Sequence, residues 1–304
     1  MCFMFSFKTS ILFYMSIIPQ LIINSIIAGS IYSLVALGFN LIFGTTKFFN
    51  LAHGVVATIG GYGTFAMLKM FDQNIYISII FGIIVAAFFG WLSEKLVFKP
   101  MRKTKSSSTV LLVASLGLFT ALQAIIAIIF TSQFKTLSIS VAQTKVYEIF
   151  GGIITDVQIV IFFTVIFILL GLVLMMKYTK LGKAIKAISD DEEVAKIVGI
   201  NTNKVIAKVF IIGSAIAGIA GIAIGFDTGI EPTMGMNILL KGVVAVIIGG
   251  VGSVSGGVVG AFLLAFIENF GIWKISGEWK DAIAFVVLLL FLIFRPRGIF
   301  NKKK

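Results

Sequence analysis

Long apolar runs broken by short polar and basic segments dominate the chain. Windows of about 20 apolar residues mark membrane spans, and the clearest are residues 21–44, 75–97, 109–130, 157–176 and 205–224. Shorter or glycine-broken runs occupy 52–68, 239–249, 254–270 and 282–294. The glycine-rich stretch 249–257 reads as a tight turn between two short helices. The pattern predicts an all-α, polytopic transmembrane bundle of about eight to ten crossings, about nine by this count, with residues 1–304 as a single transmembrane domain. The four prolines, Pro19, Pro100, Pro232 and Pro296, fall at or just outside the expected span ends, where a missing N–H matters least. Glycines inside spans, such as Gly213, Gly218 and Gly221, point to close helix packing or to a broken helix lining a cavity.

Composition supports this reading. The 304 residues are 59% hydrophobic and 12% charged, against about 25% charged in a soluble domain. The net charge of +12 comes from basic residues between apolar blocks, which argues for topology and not for nucleic acid. Lys99, Arg102, Lys103 and Lys105 form one cluster, and Lys177, Lys180, Lys183 and Lys186 a second. Arg295, Arg297, Lys302, Lys303 and Lys304 form a third. All three, and with them the C-terminus, are expected on the cytosolic side; parity then places the turn at 249–257 inside and the Met1 end outside, and a further crossing within residues 2–18 would reverse that terminus. Residues 1–20 share features of a signal peptide but lack an Ala-x-Ala site, and are read as the lead into the first span. The one cysteine, Cys2, and the one histidine, His53, supply neither a disulfide nor a metal cluster.

The polar interruption at 177–208 is read as a cytosolic loop containing a short helix. Ser189 with Glu192, or Asp190 with Glu193, has capping-box spacing, and the acids Asp190, Asp191, Glu192 and Glu193 suit the positive end of a helix dipole. Val194, Ile197 and Val198 then form an apolar stripe, and Gly199 is a natural C-cap. The expected helix runs from about residue 190 to residue 198. At two to three turns it is too short to persist alone in water, so it docks either on this protein's own membrane-facing ends or in a groove of a cytosolic partner.

The loop from Gly182-Lys183-Ala184 through Asp191-Glu192-Glu193-Val194-Ala195-Lys196-Ile197-Val198-Gly199 resembles the cytoplasmic coupling loop of bacterial ABC importer permeases. Asn50-Leu51-Ala52-His53-Gly54, after Leu37-Gly38-Phe39-Asn40, resembles the signature of the smaller permease subunit for branched-chain amino acids. Lys241-Gly242-Val243, Gly249-Gly250-Val251-Gly252-Ser253 and Phe294-Arg295-Pro296-Arg297-Gly298 fit the same subfamily. The resemblance covers about residues 20–300; the longer Glu-Ala-Ala pattern of other importer classes is not intact in the loop. It implies a bacterial inner-membrane transport subunit with no ATPase site and no cofactor of its own. Its implied partners are cytosolic ABC ATPase subunits, a paralogous permease and an extracytoplasmic substrate-binding protein. Asp190, Asp191, Glu192, Glu193, Val194, Ile197 and Gly199 would couple it to the ATPases. The chain carries no Gly-x-x-x-x-Gly-Lys-Ser/Thr phosphate loop.

Asn40, Asn50 and His53 are the candidate residues of the translocation path. Two readings stand for His53, a structural histidine bonded to a backbone carbonyl and a path or gate residue, since polar groups at membrane depth are expensive unless used. Each asparagine serves equally well as helix glue or as a substrate contact. Glu94, Lys95, Lys241 and Glu268 are expected near span ends, solvated at the interface. An ion-coupled carrier would usually hold ionisable groups near the bilayer centre, and none of the 13 acids is securely placed there. An intramembrane enzyme would need a nucleophile, acid–base or metal constellation that the chain does not offer. Urea, short amides and other amino acids stand as alternative substrates.

Overall fold

The computed structural model describes residues 2–138, 145–295 and 298–300, with side chains assigned from Ile17 onward. Met1, Pro296, Arg297, Lys302, Lys303 and Lys304, on which part of the topology reading rests, lie outside the described residues. Helix α1 spans Cys2–Thr46, α2 Ala52–Phe65, α3 Ile75–Ser93, α4 Lys99–Lys103 and α5 Ser108–Phe130. Then come α6 at Asp156–Tyr178, α7 at Lys180–Asp190, α8 at Glu192–Ile197, α9 at Thr202–Asp227, α10 at Met234–Gly249, α11 at Val254–Gly271 and α12 at Lys280–Phe294. Single π-helical turns, Ala66–Met70 and Glu94–Phe98, extend α2 and join α3 to α4.

Each of the nine expected apolar runs is helical, because in lipid a helix satisfies every backbone group within its own segment. Six of these helices are long and apolar enough to cross a membrane. The others are shorter: α2 has 14 residues, α10 has 16 and α12 has 15. At 1.5 Å per residue those lengths reach about 21–24 Å, less than the roughly 30 Å hydrocarbon core. For α2 and α10 the deficit matters little, since both are largely buried within the protein.

The core is formed by α1, α2, α9, α10 and α11, with α1 packed most extensively on α11 and α9. Small residues set the α2–α9 distance: a Cβ on Gly60 would stand 2.5 Å from the Gly218 Cα. This is the close packing expected of glycines in spans. The outer helices α3, α5 and α6 keep most of their apolar surface exposed. On α3, Ile77, Ile80, Ile84 and Phe88 recur at helical spacing, as a lipid-facing stripe should.

The helical bundle expected from the sequence carries one added element, and two expectations are corrected. The addition is an antiparallel hairpin of β1 (Val146–Ile149) and β2 (Gly152–Thr155). Phe150 and Gly151, both at positive φ, make the two-residue turn, and such a turn follows the right-handed strand twist. The hairpin is pinned to α1 by Gln20, whose side chain accepts from the Ile153 N–H at 2.7 Å and donates to its carbonyl at 3.1 Å. Pro19 lies inside α1 and not at its end. Finally, the residues before Asp191 form a helix of their own.

Candidate functional site

That helix, α7, is capped by Thr179, whose hydroxyl accepts from the Gly182 N–H at 3.0 Å. Ile185 and Ile188 are buried beneath it, giving the i, i+3 stripe of an amphipathic helix among lysines that had been read only as topology signals. Ser189 and Asp190 therefore end α7 and do not cap the next helix. The cap is Asp191, whose Oδ1 accepts from the Glu193 and Val194 N–H groups at 2.8 and 3.0 Å. Glu192 pairs with Lys196 one turn on, at 2.8 Å. Gly199, at φ +85°, donates to the Lys196 carbonyl and Ile200 to the Ala195 carbonyl, both at 3.0 Å. These two bonds make a Schellman motif.

The expected helix at residues 190–198 is thus α8, shortened to six residues by the break at Asp191. Only Ala195 is buried on it. Val194, Ile197 and Val198 are 54%, 82% and 67% exposed, so the apolar stripe is not packed on the protein's own membrane-facing ends. Packing against the chain falls instead to α7.

Two cavities lie along α1. A cavity of about 380 Å³ is lined by Asn24, Ile27, Ile31 and Tyr32 of α1 together with residues from α6, α9, α10, α11 and α12. A second, of about 280 Å³, is lined by Asn40, Leu41 and Gly44 of α1, by Ile185, Lys186, Ser189 and Asp190 of α7, and by Gly252 and Val254. Because α7 and α8 connect the end of α6 to the start of α9, the Gln158–Asp227 hydrogen bond, 3.0 Å between the start of α6 and the end of α9, marks the opposite face. The larger cavity includes both of those residues. Between the cavities, Ala36 and Phe39 pack with Val243 and Val246 of α10. From Tyr32 to Asn40 this apolar collar occupies about 12 Å of helix.

The three path candidates are not gathered in one place. Asn40 donates to the Ser253 carbonyl at 2.8 Å and accepts from the Gly252 N–H at 2.7 Å. It thereby ties α1 to the turn between α10 and α11, and it also borders the smaller cavity. Asn50 and His53 are buried and line neither cavity. The carbonyl bond that a structural histidine requires is not formed: both ring nitrogens of His53, and Oδ1 of Asn50, have no hydrogen-bond partner among the described residues. His53 packs at a tilt against Phe39 of the collar, ring centroids 6.4 Å apart and ring planes at 58°.

Of the four charged groups expected at the interface, Lys95 is exposed, and Glu94, Lys241 and Glu268 are buried instead. Glu94 is 1% exposed and receives both guanidinium nitrogens of Arg102. Glu268 of α11 is fully buried and accepts from Lys241 at 2.6 Å and from the Tyr32 hydroxyl at 2.8 Å. Lys241 also meets Asp281 at 2.8 Å, and Lys280 lies 3.9 Å from Glu268. This network forms one wall of the larger cavity. The signal for it was a lysine within the apolar run of α10, since an ionisable residue inside a span is by default functional. Buried acids therefore do not speak against an ion-coupled carrier; family membership decides that question.

The sequence pattern of the family described as branched-chain amino acid transport system / permease component matches residues 21–292. The chain belongs to this family. The permease is 32% identical over 295 residues to the high-affinity branched-chain amino acid transport system permease protein LivH of Salmonella typhimurium, covering 93% of this chain and 95% of that one. It is 31% identical to BraD of Pseudomonas aeruginosa, described in the same words, over the same shares. Among solved structures it resembles PsaBC from Streptococcus pneumoniae in complex with Fab, with a TM-score of 0.51 and 12% identity over 91% of this chain and 92% of that one. That likeness is one of fold. As a permease component of an ABC transport system, the protein hydrolyses no ATP itself.

Proposed function

We propose that this permease forms the membrane path for leucine, isoleucine and valine in an ABC importer of the bacterial cytoplasmic membrane, with its C-terminus in the cytosol. Its partners are two cytosolic ATPase subunits, a paralogous permease and an extracytoplasmic binding protein that delivers the substrate. The larger cavity is the outward vestibule and the smaller one the inward vestibule. The collar of Ala36, Phe39, Val243 and Val246 separates them in the closed state.

The observation that carries the coupling is the shared wall between α7 and the smaller cavity. Ile185, Lys186 and Ser189 of α7 face Asn40 and Gly44 of α1 across that cavity, and α7 runs directly into α8 through the single residue Asp191. Val194, Ile197 and Val198, exposed on α8, form the contact that an ATPase groove grips. Closure of the ATPase dimer on ATP then moves α8 and α7 as a unit and displaces one wall of the inward vestibule. Asp190, Asp191, Glu192 and Glu193 shape the start of this lever, and Gly199 ends it.

The test is Val194→Asp with Ile197→Asp in the reconstituted transporter. The changes sit on exposed positions and leave the permease folded in the membrane. They abolish ATP-driven leucine uptake and separate it from ATP hydrolysis. Unchanged, fully coupled uptake by the double variant would remove α8 from the drive.

A further inference from the structure

The larger cavity carries charges of opposite sign on walls built by different helices. On one side Asp227, at the end of α9, is held by the Gln158 amide through Oδ1 at 3.0 Å, leaving Oδ2 open among the described residues. On the other side stand two ammonium groups. Lys241 is paired with two carboxylates, Glu268 at 2.6 Å and Asp281 at 2.8 Å. Lys280 reaches Glu268 only at 3.9 Å, beyond hydrogen-bond range, so its donors are uncommitted. The Asn237 amide, on an exposed residue that also lines the cavity, has no hydrogen-bond partner among the described residues. Between the walls the surface is aliphatic, formed by Ile27, Ile31, Ile224 and Ile238. The volume of about 380 Å³ is at the lower end of the roughly 300–1,000 Å³ typical of small-molecule sites.

We propose that this cavity is a transit subsite for a zwitterionic, aliphatic amino acid. Asp227 takes the α-ammonium group, Lys280 and Asn237 take the carboxylate, and the four isoleucines take the branched side chain. Both charged contacts are open to water at the vestibule, so each is weak enough to release its ligand, as a transit site demands. Lys241 and Glu268 position Lys280 and do not touch the substrate. The assignment rests on the reading that an amino acid passes through this chain, and it adds the residues that receive it.

The test uses the complete transporter in proteoliposomes with saturating binding protein. Leucine uptake by the wild type tests the underlying reading; the variants test the subsite. Asp227→Asn and Lys280→Gln each lower maximal leucine uptake by about tenfold or more, the usual loss with one charge-assisted hydrogen bond. ATP hydrolysis stimulated by the loaded binding protein persists in both, and Asp227→Glu recovers part of the uptake. A second measurement is independent of these substitutions. Asn237→Cys, in a Cys2→Ser background, reacts with an impermeant cationic thiol reagent, and leucine-loaded binding protein with ATP slows that reaction. A wild type that moves leucine while both charge variants match it would overturn the subsite. So would variants in which uptake, ATP hydrolysis and membrane abundance fall together, or an Asn237→Cys reaction rate indifferent to leucine.

Discussion

Glu268 offers the sharpest physical test of the bundle, because one buried carboxylate joins four helices. It accepts from Lys241 of α10 at 2.6 Å and Tyr32 of α1 at 2.8 Å, and Lys280 at the start of α12 lies 3.9 Å away. Its side chain is fully buried, and that of Lys241 is 11% exposed. Glu268→Ala leaves the Lys241 ammonium with a single anion, Asp281, whose side chain is 64% exposed and too well solvated to replace it. Removing one partner of a buried pair costs about 3–5 kcal/mol, and the Tyr32 hydroxyl loses its acceptor as well. Asp281→Asn, by contrast, removes an exposed partner of the same ammonium and costs about 0–1 kcal/mol. Lys241→Met with Glu268→Leu removes both charges of the buried pair and recovers most of the loss. Equilibrium unfolding of the purified permease in mixed micelles measures all three variants. Equal losses for Glu268→Ala and Asp281→Asn, or a double variant no more stable than Glu268→Ala, would refute burial as the reason the pair matters.

Two further outcomes follow from single side chains. Asn40→Ala deletes both bonds to the turn between α10 and α11, a loss of about 1–3 kcal/mol for two hydrogen bonds; hydrogen exchange at Gly252 rises while exchange in α5 is unchanged. Asp191→Ala removes the cap of α8 at a cost of about 1 kcal/mol, seen as faster exchange of the Glu193 and Val194 amides, and Asp191→Ser restores most of the protection.

What could be read from the sequence was local or imposed by lipid. An apolar run of span length is satisfied as a helix in a membrane, which is why all nine runs are helical, and the turn expected at 249–257 narrows to residues 250–253, because α11 starts at Val254. The end of α8 was equally local, since Gly199 needs nothing beyond its own backbone freedom to take φ +85°. Its start was not, because Ser189, Asp190 and Asp191 are all competent caps, and the choice is made by burial of Ile185 and Ile188, which carries α7 through Asp190. Lys241 within an apolar run marked the buried charges, but their pairing was illegible for a stronger reason. Glu268 is stabilised by Tyr32, 236 residues earlier, and by Lys241, 27 residues earlier, and nothing near Glu268 in the chain announces either partner. The larger cavity is illegible in the same way, assembled from residues of six helices far apart in the chain. The hairpin at 146–155 escaped because its side chains are mostly exposed, so burial left no clean alternation to read.

The central claim is that this chain is the path of an ATP-driven importer for branched-chain amino acids. It is tested most directly by radiolabelled leucine uptake into proteoliposomes containing the permease, its paralogous partner and the ATPase subunits, with the binding protein on the delivery side. Uptake should require hydrolysable ATP and binding protein together, and valine and isoleucine should compete with leucine. Leucine accumulation driven by a proton gradient through the permease alone, with no ATPase present, would contradict the account.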